Sequence, residues 1–311
     1  MTAGASMGTA LGEYGGAVST GFITDDISVN ITNCTFINNS APMGGAIQIK
    51  GNNVKVTNSI FKDNKANESD GGAVYIVGKD AIIYNSTFEN NYAKNVGAGV
   101  LINGSKASIL NSSFDKNIAD FGAGVYVIGS NANIFSSNFT NHDVKNGSVY
   151  IKGIKTYVYD CNFINNTAKT GGGVNFFVTF DVIFNGEFIG NSAENGGALA
   201  AGYGNVKYVS FKNNYAKNNG GAVYFKEKSN VVNCIFVDNY AAHNGGAVRS
   251  KSGTVLNSNF TGNAAKDDGG AVSFGTSGNV TNCNFADNSA KNGGALYFLN
   301  DNDHVTNCSF V

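Results

Sequence analysis

Apolar side chains recur on two scales along this chain: every second residue within short runs, and again as a whole pattern every 23 to 27 residues. Twelve phenylalanines mark the longer period: Phe36, Phe61, Phe88, Phe114, Phe139, Phe163, Phe188, Phe211, Phe236, Phe260, Phe285 and Phe310. Five residues before each stands Val or Ile, from Ile31 and Val56 through to Val305. Three residues after Phe comes Asn in ten of eleven coils, and five after comes Ala in ten of eleven; His142 and Val144 are the exceptions. A Gly-Gly-Ala corner follows in most coils, and then Val, Ile or Leu. Helical solenoids would need apolar residues at i, i+3, i+4 and i+7, which are missing. The β-branched and aromatic residues stand two apart instead, as in Val74/Ile76 and Val223/Phe225, separated from the next run by Gly and Asn.

Three short strands in each period, with one face turned inward, make one coil of a parallel β-helix. The expected fold is therefore all-β: a right-handed parallel β-helix (a solenoid) of about twelve coils of 24–25 residues. At a coil spacing of about 4.8 Å its length would be roughly 58 Å. Residues 1–311 read as a single repeat domain. The Asn three before Phe suits a left-handed bend between strands, and stacked amides can bond from coil to coil. Asn33, Asn58, Asn85, Asn111, Asn233, Asn257, Asn282 and Asn307 are the expected structural ladder, with Asn185 in the same slot. The Gly pairs supply positive φ or close approach at the other corner.

Composition agrees with a packed solenoid. Of 311 residues 41 are Gly, one is Pro and none is Trp; 42% are hydrophobic and only 14% charged. The net charge of −1 invites neither nucleic acid nor an anionic membrane. Arg249 is the sole arginine, which removes most bidentate recognition of phosphate or carboxylate. The longest apolar-looking stretch, Val174 to Phe184, carries Asn175 and Asp181 and is too short for a transmembrane helix. Met1 to Gly15 has no basic segment followed by an apolar run, so no signal peptide is read there. The chain opens inside a repeat and stops just after the last Phe, without readable caps. It reads as a slice of a longer surface protein, with export signal and anchor elsewhere.

The GGA-[VIL] corner occurs at residues 15–18, 44–47, 71–74, 196–199, 220–223, 245–248, 269–272 and 293–296, and FxxN occurs ten times. This pairing resembles the repeats of chlamydial polymorphic outer-membrane proteins, and more closely the Asn-rich adhesin-like β-helix proteins of methanogenic archaea. The resemblance covers nearly the whole chain. It implies an extracellular, surface-displayed adhesin passenger and carries no catalytic residue.

Candidate chemistry is sparse. Cys34, Cys161, Cys234, Cys283 and Cys308 all stand two before Phe, a slot that Ser fills in other coils. With no CxxC and no His in register, they read as small inward side chains, mostly buried free thiols, and no metal site is expected. Cys283 and Cys308 come within bridging distance, but parallel in-register side chains rarely reach a disulfide dihedral. Polysaccharide lyases and hydrolases on β-helices need a carboxylate cluster on one outer face. Here Asp267-Asp268 is the only tempting pair, between His243 and Lys291 in register and in the slot that holds Asn195, Asn219, Asn244 and Asn292 elsewhere. It reads as a turn rung beside solvated charges. No Ser-His-Asp set or phosphate loop is present. The sequons at Asn33, Asn85, Asn111 and Asn307 fall on ladder residues, leaving Asn67 and Asn103 as better acceptors. We expect no enzyme and no cofactor.

The informative departures point outward. Four residues before Phe six of the twelve coils place Thr, Lys or Val and one places Leu256, but coils three to seven place Tyr84, Leu110, Phe135, Tyr159 and Phe184, with Ile82, Tyr157 and Val182 two residues earlier. On the strand after Gly-Gly, Tyr75, Leu101, Tyr126 and Tyr150 fill the outward slot of coils three to six. An exposed apolar stripe of this size marks contact with sugar rings or a protein; strand preference and cross-strand stacking would select the same residues. The leading expectation is a cell-surface adhesin repeat region meeting host, neighbour-cell or matrix glycans or surface proteins, with self-association through the stripe as a further use. The alternatives are a passive stalk and, on fold alone, a lyase or hydrolase.

Overall fold

The computed structural model describes residues 15–20, 28–177, 182–300 and 303–311, and all regular structure there is β-strand. Residues 1–14, and 178–181 within the apolar stretch ending at Phe184, lie outside the described residues. The chain divides into two compact units, Met1–Tyr157 and Val158–Val311. Each is a parallel β-helix whose strands pair in register with their equivalents one coil away.

In the first unit one coil illustrates the rest. Ile82–Tyr84, the Val/Ile strand, ends at Asn85, whose φ of 47° lies in the left-handed region. Thr87–Glu89, the Phe strand, ends at Asn90 with φ 53°. A two-residue Ala strand, Tyr92–Ala93, leads to the glycine corner and then to Val100–Asn103. A coil thus holds four short strands where three were expected: the post-glycine and Val/Ile strands are separate segments of one sheet, and the Phe and Ala strands build two others. Of the glycine pair, Gly71 needs positive φ (68°), while a Cβ on Gly72 would stand 2.5 Å from the Ala98 carbonyl oxygen one coil on. One glycine serves the turn and the other the coil spacing.

The inner face carries the expected ladders. Val56, Phe61, Ala66, Val74 and Ile76 are fully buried. Phe36, Phe61, Phe88, Phe114 and Phe139 stack with ring centroids 4.8 Å apart, the strand spacing itself. The Cys/Ser slot does more than accept a small side chain. Ser59 Oγ donates to the Thr57 carbonyl at 2.8 Å and accepts the Cys34 N–H at 3.1 Å, and Ser86 and Ser112 repeat the relay.

The two asparagine series do different work. Those three before Phe are exposed or half-buried, all with left-handed φ, and they form outer rungs such as Asn85 Nδ2 to Asn58 Oδ1 at 2.7 Å. The FxxN series is not a left-handed corner: Asn39, Asn64, Asn91 and Asn117 are buried and form a closed ladder. Asn64 Nδ2 donates to Asn91 Oδ1 at 2.9 Å and to the Phe36 carbonyl at 3.0 Å, while Asn91 Oδ1 also accepts the Asn64 N–H. At His142 the ladder changes chemistry. Asn117 donates through Nδ2 to His142 Nε2, so the ring proton sits on Nδ1 and goes to Ser148 Oγ at 2.7 Å.

The second unit repeats the plan. Its phenylalanines from Phe163 to Phe310 stack at 4.6–5.1 Å, and its interior amide ladder runs through Asn191, Asn214, Asn239 and Asn263. In two coils the post-glycine and Val/Ile strands fuse into long strands, Val223–Val232 and Val248–Leu256.

Candidate functional site: the outer columns and a corner groove

Strand alternation places the residue after each buried Val or Ile outward. In the first unit Tyr84, Leu110 and Phe135 are in register on consecutive strands; Tyr84 is 42% exposed, Leu110 and Phe135 are half-buried, and Tyr157 is exposed. In the second unit Tyr159 is half-buried and Phe184 exposed. Burial, reinforced by the neighbouring Asp160, pushes the Tyr159 phenol up.

The second expected contact row is corrected by its surroundings. Tyr75, Leu101, Tyr126 and Tyr150 do align, but Leu101, Tyr126 and Tyr150 are 1%, 7% and 6% exposed and Tyr75 is half-buried. Val96 and Phe121 from the preceding turns fold over them, with Phe121 edge-on to Tyr150 at 5.3 Å and Tyr126 stacked on Tyr150 at 5.2 Å. Burial drives the Tyr150 phenol up to about 12 and raises Tyr126 and Tyr75 as well. This row is a second, external core and offers little surface. The sequence did hold a signal: Val96 and Phe121 occupy the slot before glycine that holds Asn or Asp in seven of the other ten coils.

The two carboxylates bond to side chains of neighbouring coils. Asp268 Oδ1 accepts Asn292 Nδ2 at 2.9 Å as a rung of the turn ladder, and Asp267 meets His243 Nδ1 at 2.7 Å in solvent. Arg249 lies half-buried in the column of Tyr224, Ser273 and Tyr297, bonding Ser273 Oγ at 3.2 Å; burial lowers its pKa. All five cysteines are free thiols, Cys161, Cys234 and Cys283 buried and Cys34 and Cys308 half-buried. Burial raises Cys234 and Cys283 to about 11. Among the described residues no group of His, Cys, Asp and Glu is arranged to hold a metal ion.

One groove in the second unit went unnoticed in the sequence. It encloses about 650 Å³ along two outer columns, the corner positions Asp160, Asn185, Tyr208 and Asn233, and the positions just before Phe, Asn162, Glu187, Ser210 and Ile235. Gly186 and Val209 lie between the columns. Tyr208 occupies the left-handed corner with φ 58°, the only aromatic residue with positive φ among the described residues. Such a conformation costs a bulky side chain about 1–3 kcal/mol. Its ring is 52% exposed and rests edge-on against Phe184 at 5.2 Å.

Three stretches, residues 33–50, 208–226 and 282–299, match the Chlamydia polymorphic membrane protein (Chlamydia_PMP) repeat. Each begins at a left-handed corner and ends on or just past the strand after the glycine pair, so the matched unit is the Phe strand, the FxxN asparagine and the glycine turn described above. These three stretches are similar to that repeat, and the coils that carry them form a parallel β-helix. No curated protein and no solved structure matches the chain. The repeated Val/Ile, Phe, Asn and Ala positions account for the interior, and the outer columns and the groove are where successive coils differ. No helix long and apolar enough to cross a membrane occurs among the described residues.

Proposed function

We propose that this chain is the repeat region of a surface-displayed adhesin-like protein, whose outer face contacts glycans or proteins on host cells, neighbouring cells or a matrix. The PMP-like repeats support an outer-membrane or surface location. One observation carries the contact reading: Tyr84, Leu110 and Phe135 stand in register and reach solvent, at a position held by Thr32 and Thr57 in the preceding coils. Cross-strand stacking would favour large side chains there too, but a run of them that reaches solvent is the feature that marks contact sites. On this reading the protein acts by binding rather than by catalysis. The turn-ladder role of Asp268 and the solvated Asp267–His243 pair support that reading over a lyase or hydrolase.

Labelled protein applied to a glycan and cell-surface array tests the proposal. Replacing Tyr84, Phe135 and Tyr159 with Thr should preserve the fold, since Thr suits the same outward strand position, and lower adhesion. Adhesion unchanged by the triple substitution would refute the contact face. Absence of any adhesion by the parent protein would leave a passive stalk as the function.

A further inference from the structure

Across the twelve coils, departures from the repeat are not scattered evenly. The corner slot three before Phe is Asn in nine coils and otherwise Ser136, Asp160 and Tyr208. The slot two before Phe is Cys or Ser in ten coils, and the exceptions are Gly186 and Val209. Four of these five departures line the single groove described above. Gly186 and Val209 interrupt the hydroxyl and thiol relay there, because neither brings a heteroatom to the neighbouring N–H. The β-helix interior is unaffected: Phe188, Phe211 and Asn214 remain fully buried, and their ladders continue. The coils have given up local stability at one surface spot while keeping the core, the arrangement expected where strain serves a site.

We propose that this corner groove binds a neutral, hydroxyl-rich sugar chain, with Tyr208 as the stacking platform and Asp160 and Glu187 as acceptors for sugar hydroxyls. Each part of the assignment follows from an observed group. The exposed Tyr208 ring is braced by Phe184 and presents an aromatic face, which suits the C–H face of a sugar ring. Asp160 is pre-positioned, since its Oδ1 accepts Asn185 Nδ2. The Glu187 carboxylate and the Tyr208 hydroxyl make no hydrogen bond among the described residues, leaving them to a ligand. Ser210 and Asn162 add a hydroxyl and an amide on the adjoining column. With two carboxylates and no lysine or arginine lining it, the groove disfavours uronates and other acidic chains. Its size suits a few sugar units rather than a protein surface. The inference rests on the contact-face reading only for the source of the ligand, a cell surface, and not for its chemistry.

The test uses the full chain with EDTA present, titrated calorimetrically with tetramers of glucose, mannose and N-acetylglucosamine, and with a galacturonate tetramer. At least one neutral tetramer should bind, and the acidic one should bind at least tenfold more weakly. Tyr208→Asn restores the residue that the corner holds in nine coils, so it should keep or raise the melting temperature while weakening binding at least tenfold. Tyr208→Phe keeps the ring and should stay within about threefold of the parent, and Glu187→Gln should weaken binding without a change in melting temperature. Failure of every neutral tetramer to bind, an unchanged affinity in Tyr208→Asn, or preference for galacturonate overturns the proposal. Array adhesion separates the two readings. Adhesion without tetramer binding refutes the groove alone, and tetramer binding without adhesion refutes the contact face alone.

Discussion

Replacing Asn91 with Ala asks how much of the β-helix depends on its buried amides. Four side-chain hydrogen bonds disappear. Nδ2 no longer donates to Asn117 Oδ1 at 2.9 Å or to the Phe61 carbonyl at 3.0 Å, and Oδ1 no longer accepts the Asn64 N–H at 3.0 Å or Asn64 Nδ2 at 2.9 Å. Asn117 Oδ1 keeps a partner, because the backbone N–H of residue 91 still reaches it. Left without a partner at this site are the Asn64 N–H and one Asn64 amide proton, both away from water, while the Phe61 carbonyl keeps its place in the strand ladder with the next coil. At about 1–3 kcal/mol for each of the two buried orphans, the loss comes to about 2–6 kcal/mol. That is a large share of the roughly 5–15 kcal/mol that holds a domain folded. Asn85→Gly is the control, since Asn85 is an exposed corner residue whose φ of 47° glycine meets without strain; its cost should stay within about 0.5 kcal/mol. Guanidinium unfolding followed by circular dichroism reads both midpoints. A loss below about 1 kcal/mol for Asn91→Ala, or equal losses in the two variants, would refute the division between structural and corner asparagines.

Other outcomes follow from the same packing. Phe88 is fully buried with a stacked ring 4.8 Å away on either side, so Phe88→Ala should cost about 3–5 kcal/mol; a midpoint near that of the parent would mean the stack is dispensable. Tyr150→Ser should lower thermal stability through loss of the Phe121–Tyr126–Tyr150 cluster, by about 2–4 kcal/mol, and an unchanged melting curve would return Tyr150 to the surface. Folding holds Cys234 and Cys283 at about 11 against an ordinary 9.0. The unfolded chain therefore loses these protons first. The stabilisation is intact below pH 9 and falls as pH rises from 9 towards 11. Midpoints measured across that window in the parent and in Cys234→Ser/Cys283→Ser should converge; parallel curves would argue against buried thiols. At pH 8, iodoacetamide should label half-buried Cys34 and Cys308 before Cys161, Cys234 and Cys283.

Much of this protein is a matter of periodicity, and periodicity is visible in one dimension. A coil can bury Phe, Ala and Val only if the same residue type returns at the same place, so the repeat alone determined the parallel β-helix, the inner ladders and the left-handed corners at Asn33 to Asn307. The small Cys/Ser slot was legible as well, though not its hydrogen-bond relay, because that relay runs between residues some 25 apart in the chain. What a side chain does outside the coil depends on its neighbours in the adjacent coils and turns, and strand alternation is silent on that. Tyr126 and Tyr150 point outward as the pattern requires, and yet Phe121 and Val96 cover them. The two asparagine series differ by which side of the backbone they face: one bonds across solvent-exposed corners, and the other must satisfy buried amides. The groove at Tyr208 exists only because Asp160, Gly186, Glu187 and Val209, scattered over three coils of sequence, are stacked beside it by a spacing of about 4.8 Å. Sequence periodicity determined the scaffold. Tertiary structure decided which outward residues meet solvent, since exposure depends on what lies above a side chain rather than on the direction in which it points.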